Sequence, residues 1–146
     1  MGTGYFTQPT LCADRIVFVC EDDLWEVDSS GGQARRLTNS RSEIKTPYLD
    51  PSGKWIACCA KEEGDPDVYL MSADGGPLTR LTWLNSVTRI VGWTPDGSSI
   101  LFHSIHQAVH HRGSDAWLFK VGVDGGPVQR LPFGPAAVSY THLTLP

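Results

Sequence analysis

The sequence predicts an all-β fold, an incomplete β-propeller of about three four-stranded antiparallel blades, on three observations. One hairpin phrase ending in Gly-Gly occurs at residues 24–32, 68–76 and 118–126, so its glycine pair recurs after 44 and then 50 residues. Each phrase follows an apolar run, at residues 16–19, 55–60 and 99–103; the first and last lack the alternation of a sheet with one wet face and read as strands covered on both sides. No segment sustains a helical period of apolar residues, because Pro or Gly interrupts most windows long enough to hold one. A four-strand unit recurring every ~40–50 residues is the signature of a propeller blade rather than a sandwich or helical solenoid.

The strands follow in order. In the first unit, residues 6–11 form the opening strand, 15–20 the second, 24–28 the third and 34–38 the fourth. Gly31 and Gly32 supply the positive-φ positions that a tight turn between the last two strands needs. The second unit opens at residues 46–49 and turns through Asp50-Pro51-Ser52-Gly53 into 55–60; the third opens at 90–93 and turns through Thr94-Pro95-Asp96-Gly97 into 99–103. Outer strands at 78–82 and 128–132 complete them. The blades are placed at about residues 4–40, 41–83 and 84–133 within a partial N-terminal propeller spanning 4–137. Residues 106–115 form a longer link between second and third strands of the last unit. Val138 to Pro146 reads as an in-frame translation of a sequencing-library transposon adapter and is set aside from the fold. Three blades make an open arc, since closed propellers need about four to eight.

Composition excludes several functions. The formal charge of -4, with 12 Lys+Arg against 16 Asp+Glu, offers no electrostatic footprint for nucleic acid or anionic lipid. The first ten residues hold no basic and apolar leader, and no run is long enough to span a bilayer, so the expected location is cytoplasmic. Cys12, Cys20, Cys58 and Cys59 lack the paired spacing of a zinc site. Cys58 and Cys59 are adjacent on a strand, point to opposite faces and cannot easily bridge, so free buried thiols are expected.

The candidate chemistry is sparse. His103, His106, His110 and His111 form the one cluster that suggests a metal, but the loop has no helix start and no Glu between His106 and His110. Glu21, Asp22 and Asp23 lack the glycine and alternation of a calcium loop and sit at a strand-to-strand turn. Asp65 and Asp67 flank Pro66 and read as turn residues. No serine stands in a G-x-S-x-G elbow, and no helix follows any Gly-Gly pair to make a phosphate cradle. Trp25, Tyr69 and Phe119 occupy equivalent repeat positions and read as blade-packing anchors. No catalytic residue, cofactor-binding residue or metal ligand is assigned, and no cofactor is expected.

The block from Asp14 to Glu26, the phrase Gly75-Gly76-Pro77-Leu78-Thr79-Arg80-Leu81-Thr82-Trp83 and the phrase Val91-Gly92-Trp93-Thr94-Pro95-Asp96-Gly97 resemble the start of tricorn protease and its bacterial relatives. The blade phrase alone is shared with TolB-like and prolyl-oligopeptidase-type propellers; the opening block ending Cys20-Glu21-Asp22-Asp23-Leu24-Trp25 favours tricorn. The resemblance implies a large cytoplasmic serine peptidase trimming oligopeptides, with two propellers ahead of a PDZ domain and a catalytic core, assembled as a hexamer. The propeller would gate or route oligopeptides, and its partners would be those peptides and other domains of the polypeptide. The family's catalytic residues have no counterparts within these positions. Inner-strand residues 46–50 and 88–93 would contact passing peptide. The alternative is a stand-alone TolB-like propeller serving as a protein-interaction scaffold.

Overall fold

A computed structural model describes residues 5–105 and 116–132. They form three four-stranded antiparallel meanders: β1 (Thr7–Cys12), β2 (Arg15–Cys20), β3 (Asp23–Asp28) and β4 (Arg35–Arg36); β5 (Glu43–Leu49), β6 (Trp55–Lys61), β7 (Asp67–Ser72) and β8 (Thr79–Arg80); and β9 (Thr88–Trp93), β10 (Ser99–Ser104), β11 (Trp117–Gly122) and β12 (Gly125–Arg130). The all-β class and the incomplete propeller of three four-stranded blades are what the repeats predicted. Among the described residues there is no helix, and so none long and apolar enough to cross a membrane.

The blades stack through two apolar layers. Val17 and Val19 of the first blade meet Ile56, Cys58 and Ala60 of the second. Ala57 and Cys59, on the opposite face of the same β6, meet Ile100 and Phe102 of the third. Adjacent strand residues face opposite sides, so β6 is buried from Ile56 to Ala60. This is the physical source of its unbroken apolar run, and Cys58 and Cys59 lie in different layers as the strand geometry required. All four cysteines are free. Burial drives the Cys58 thiol pKa up, and burial pushes Cys59 up to about 11, so neither is a thiolate at neutral pH.

The outer strands are shorter than predicted, two residues each in β4 and β8. The reason is a side chain that replaces the ladder. Leu37 N still donates to Leu24 O at 2.8 Å, but Leu24 N donates to the Thr38 hydroxyl at 2.9 Å instead of to backbone. The second blade repeats this, with Leu81 N on Val68 O at 2.8 Å and Val68 N on Thr82 Oγ1 at 3.0 Å. Both hairpin glycines are at positive φ in every unit, but in the third the pair opens β12, and the turn falls at Val123 and Asp124.

Candidate functional site

The first strands of the blades, β1, β5 and β9, lie side by side and make the innermost wall of the arc. Each carries a bulge where its register to the second strand shifts: between Thr7 and Thr10, between Lys45 and Tyr48, and at Val91. The bulges coincide with Gln8-Pro9 and Thr46-Pro47, where proline cannot donate to a ladder and is tolerated for that reason. Gln8 and Thr46 both sit at positive φ, 53° and 47°, a conformation that costs about 1–3 kcal/mol outside glycine. The bulged side chains join one blade to the next. Thr46 N donates to Gln8 Oε1 at 2.6 Å, and Ile90 N donates to Thr46 Oγ1 at 3.3 Å. Leu49 N donates to Thr10 Oγ1 at 3.2 Å, and the Trp93 indole donates to Tyr48 O at 2.9 Å. Inner-edge amides that would otherwise be unpaired are thus satisfied by the neighbouring blade. Exposed on this wall are Tyr48, Lys45 and Arg89, with Trp93 half-buried.

Two aspartates contradict the turn reading. Asp67 opens β7, 1% exposed, and accepts from Arg80 Nη2 at 2.6 Å, Thr82 Oγ1 at 2.8 Å and Leu84 N at 2.9 Å. Asp23 opens β3 in the same way, accepting from Arg36, from Thr38 Oγ1 at 2.6 Å and from Ser40 N at 3.4 Å. Only Glu21 and Asp22 are in the turn, both exposed. The carboxylates start the third strand of their blade and lock the fourth onto it, because a buried charge persists only where several donors converge on it. In the third blade Trp117 and Pro132 stand where the aspartate and threonine stood. There Arg130 lies over the Trp117 ring at 4.6 Å, a cation–π contact in place of the ion pair.

A polar cluster ties the first two blades at their hairpins. Arg15 reaches Glu26 at 3.3 Å and crosses to Asp74 at 3.1 Å, while Arg35 Nε donates to Glu26 at 2.8 Å. Arg15, Glu26 and Arg35 border an open cleft of about 620 Å³. Its arginines are held by acids of the same cluster, which makes it an inter-blade clip.

Of the predicted histidine cluster only His103 is described. It lies half-buried on β10, opposite Arg89, its pKa lowered by burial and then by the Arg89 charge. His106, His110 and His111 lie outside the described residues, as do the whole of the long link and residues 138–146. Tyr69 and Phe119 are buried in the two inter-blade layers, and Phe119 stacks on Phe102 at 5.7 Å. Trp25 pairs with Phe18 on the first blade's other face.

Comparison with known proteins agrees with this architecture. A tricorn protease homologue of Streptomyces coelicolor is 38% identical over 141 residues, matching 90% of this chain and 12% of the relative. The crystal structure of the tricorn protease superposes with a TM-score of 0.78 at 27% identity, covering 91% of this chain and 14% of that one. TolB from Acinetobacter baumannii superposes at 0.71 with 24% identity over 89% of this chain and 33% of its own, a likeness of fold alone. The chain spans about an eighth of the length of the tricorn homologue it matches. The family described as "Tricorn protease N-terminal beta propeller domain" matches residues 3–142, and the chain belongs to that family.

Proposed function

We propose that this propeller is a non-catalytic gate or router for oligopeptides in a cytosolic tricorn-type serine peptidase, which would work as a hexamer. The observation that carries the reading is family membership over residues 3–142. The inner wall supplies a means: residues 46–50 and 88–93 present an aromatic pair, Tyr48 and Trp93, beside the cations Lys45 and Arg89. Aromatic faces and cations can hold an extended peptide without reading one sequence. The partners in this reading are oligopeptides and other domains of the same polypeptide.

The test is photo-crosslinking with an octapeptide carrying one benzophenone residue, followed by mapping of the adducts by mass spectrometry. Adducts are expected within residues 45–50 and 88–93. Adducts confined to the outer strands β4, β8 and β12, or none at all, would remove the gating reading.

A further inference from the structure

The two junctions between blades set the same repeat positions against each other but fill them with different residues. Arg15 opens β2 and Trp55 opens β6, each three residues before the position that faces the blade aromatic, Trp25 or Tyr69. Glu26 lies opposite Arg35 across β3 and β4, as Leu70 lies opposite Thr79 across β7 and β8. Asp74 and Asp124 each stand directly before the hairpin glycines. The clip of the first junction, Arg15, Glu26, Arg35 and Asp74, therefore has Trp55, Leu70, Thr79 and Asp124 as its counterpart in the second. The aspartate stays and the other charges are gone.

Asp74 is held by Arg15 of the preceding blade at 3.1 Å. Asp124 is exposed and has no ion-pair or hydrogen-bond partner among the described residues. It borders instead a groove of about 420 Å³ between β8 and the hairpin of β11 and β12, with Thr79, Trp83, Val123 and Val128 also in its walls. One wall belongs to the second blade and the other to the third, so both sides of this groove are in place. Arg80 lines it too, but its guanidinium donates to Asp67 at 2.6 Å and lies over the Trp83 ring at 5.3 Å. It brings Asp124 no counter-charge. Trp83 is 70% exposed, and in the first blade the residue after the corresponding threonine is Asn39. A carboxylate without a cation, beside an exposed indole and apolar walls, matches the chemistry of an arginine side chain. The carboxylate can take the guanidinium in bidentate fashion, and the flat group and its stem can lie along the aromatic.

We infer that this groove docks an arginine-bearing segment of a partner protein, whose guanidinium takes at Asp124 the place that Arg15 takes at Asp74. β8 and β12 are the outermost strands of their blades, so the groove opens on the outer rim, away from β1, β5 and β9. The inference therefore stands apart from the peptide-gating reading of the inner wall.

Isothermal titration of the 146-residue chain at low ionic strength tests it with three N-acetylated pentapeptide amides that differ only at the central residue. One carries arginine, one citrulline, which keeps the shape and removes the charge, and one lysine. The arginine peptide is expected to bind about fivefold tighter than the citrulline peptide, the scale of an exposed ion pair, with lysine between them. Asp124→Asn should abolish the difference, and so should Trp55→Arg, which supplies from within the chain the arginine that the first junction has. Trp83→Ala should weaken all three peptides. Asp74→Asn, at the same turn position but with its cation already in place, should leave the difference intact. Unchanged far-UV circular dichroism establishes that each variant is folded. Equal binding of the arginine and citrulline peptides, binding of none, or a preference that survives Asp124→Asn or disappears in Asp74→Asn overturns the inference. So does a fall in self-association of Asp124→Asn, seen by light scattering, without any arginine preference, since the occupant would then be a second copy of this chain.

Discussion

At Asp67 a single carboxylate gathers a guanidinium, a hydroxyl and a backbone amide that lie 13, 15 and 17 residues further along the chain. Removing it strands Arg80 and leaves the Thr82 and Leu84 donors unmatched in a site with almost no water. Asp67→Ala is expected to cost about 3–5 kcal/mol, the usual penalty for breaking a buried pair by deleting one partner. Arg130→Gln, which removes a cation–π contact at the equivalent place in the third blade, should cost about 1 kcal/mol. Urea unfolding followed by circular dichroism measures both, and equal losses would show that the two devices are not alternatives. The lock was hidden in the sequence because Pro66 and the neighbouring Asp65 give Asp67 the local signature of a turn. What could have revealed it is periodic: an aspartate, an arginine 13 residues on and a threonine 15 residues on recur at Asp23, Arg36, Thr38 and at Asp67, Arg80, Thr82. The inner-wall residues were visible only as blade geometry.

At the scale of the element, the turns between first and second strands show how side chains set backbone. Asp50 accepts from Lys54 N and Trp55 N at 2.9 Å each and from the Ser52 hydroxyl at 2.6 Å. In the third blade the roles redistribute: Ser99 N donates to Thr94 Oγ1 at 3.0 Å, and the Thr94 hydroxyl donates to Asp96 at 2.7 Å. Burial alone would raise the Asp50 pKa, but the Ser52 hydroxyl and the amides of Trp55, Ser52 and Lys54 outweigh it and lower it. The Thr94 hydroxyl, with Ser98, lowers Asp96 to about 2. A carboxylate whose folded pKa is depressed stabilises the fold above its unfolded pKa, ordinarily 3.8, and loses that contribution as pH falls through the folded value. Thermal stability should therefore drop between about pH 4 and pH 2, and Asp50→Asn with Asp96→Asn should flatten that drop while lowering the starting value. A melting series from pH 6 to pH 2.5 decides it; an unchanged slope in the double variant would mean that other carboxylates govern the acid limb. These turns were readable because Asp-Pro-Ser-Gly and Thr-Pro-Asp-Gly carry their own local chemistry. The two-residue outer strands were not, because a hydroxyl replaces the ladder there and period-2 patterning does not register that exchange.

For the whole molecule, stacking works only while each blade has a neighbour on both faces. The second blade has both, and its β6 is apolar from Trp55 to Ala60. The first blade presents Phe6, Ile16, Phe18 and Val27 on the face turned away from the second, around an apolar groove of about 400 Å³. Phe6 is 65% exposed there, packed edge-on against Phe18 at 5.1 Å. No other blade covers this face among the described residues, and the outer edge of β12, six residues long, lacks the shortness that protects β4 and β8. A net charge of -4 supplies only modest repulsion against contact between copies. Expressed by itself, the 146-residue chain should therefore self-associate and bind 8-anilinonaphthalene-1-sulfonate. Phe6→Ser with Ile16→Thr should reduce both, since these side chains border the groove without entering either inter-blade layer. Light scattering across a concentration series makes the comparison. A chain that stays monomeric and unfolds in one cooperative transition would mean that three blades suffice for a closed core, against the one-dimensional logic by which repeat stacks draw stability from both neighbours.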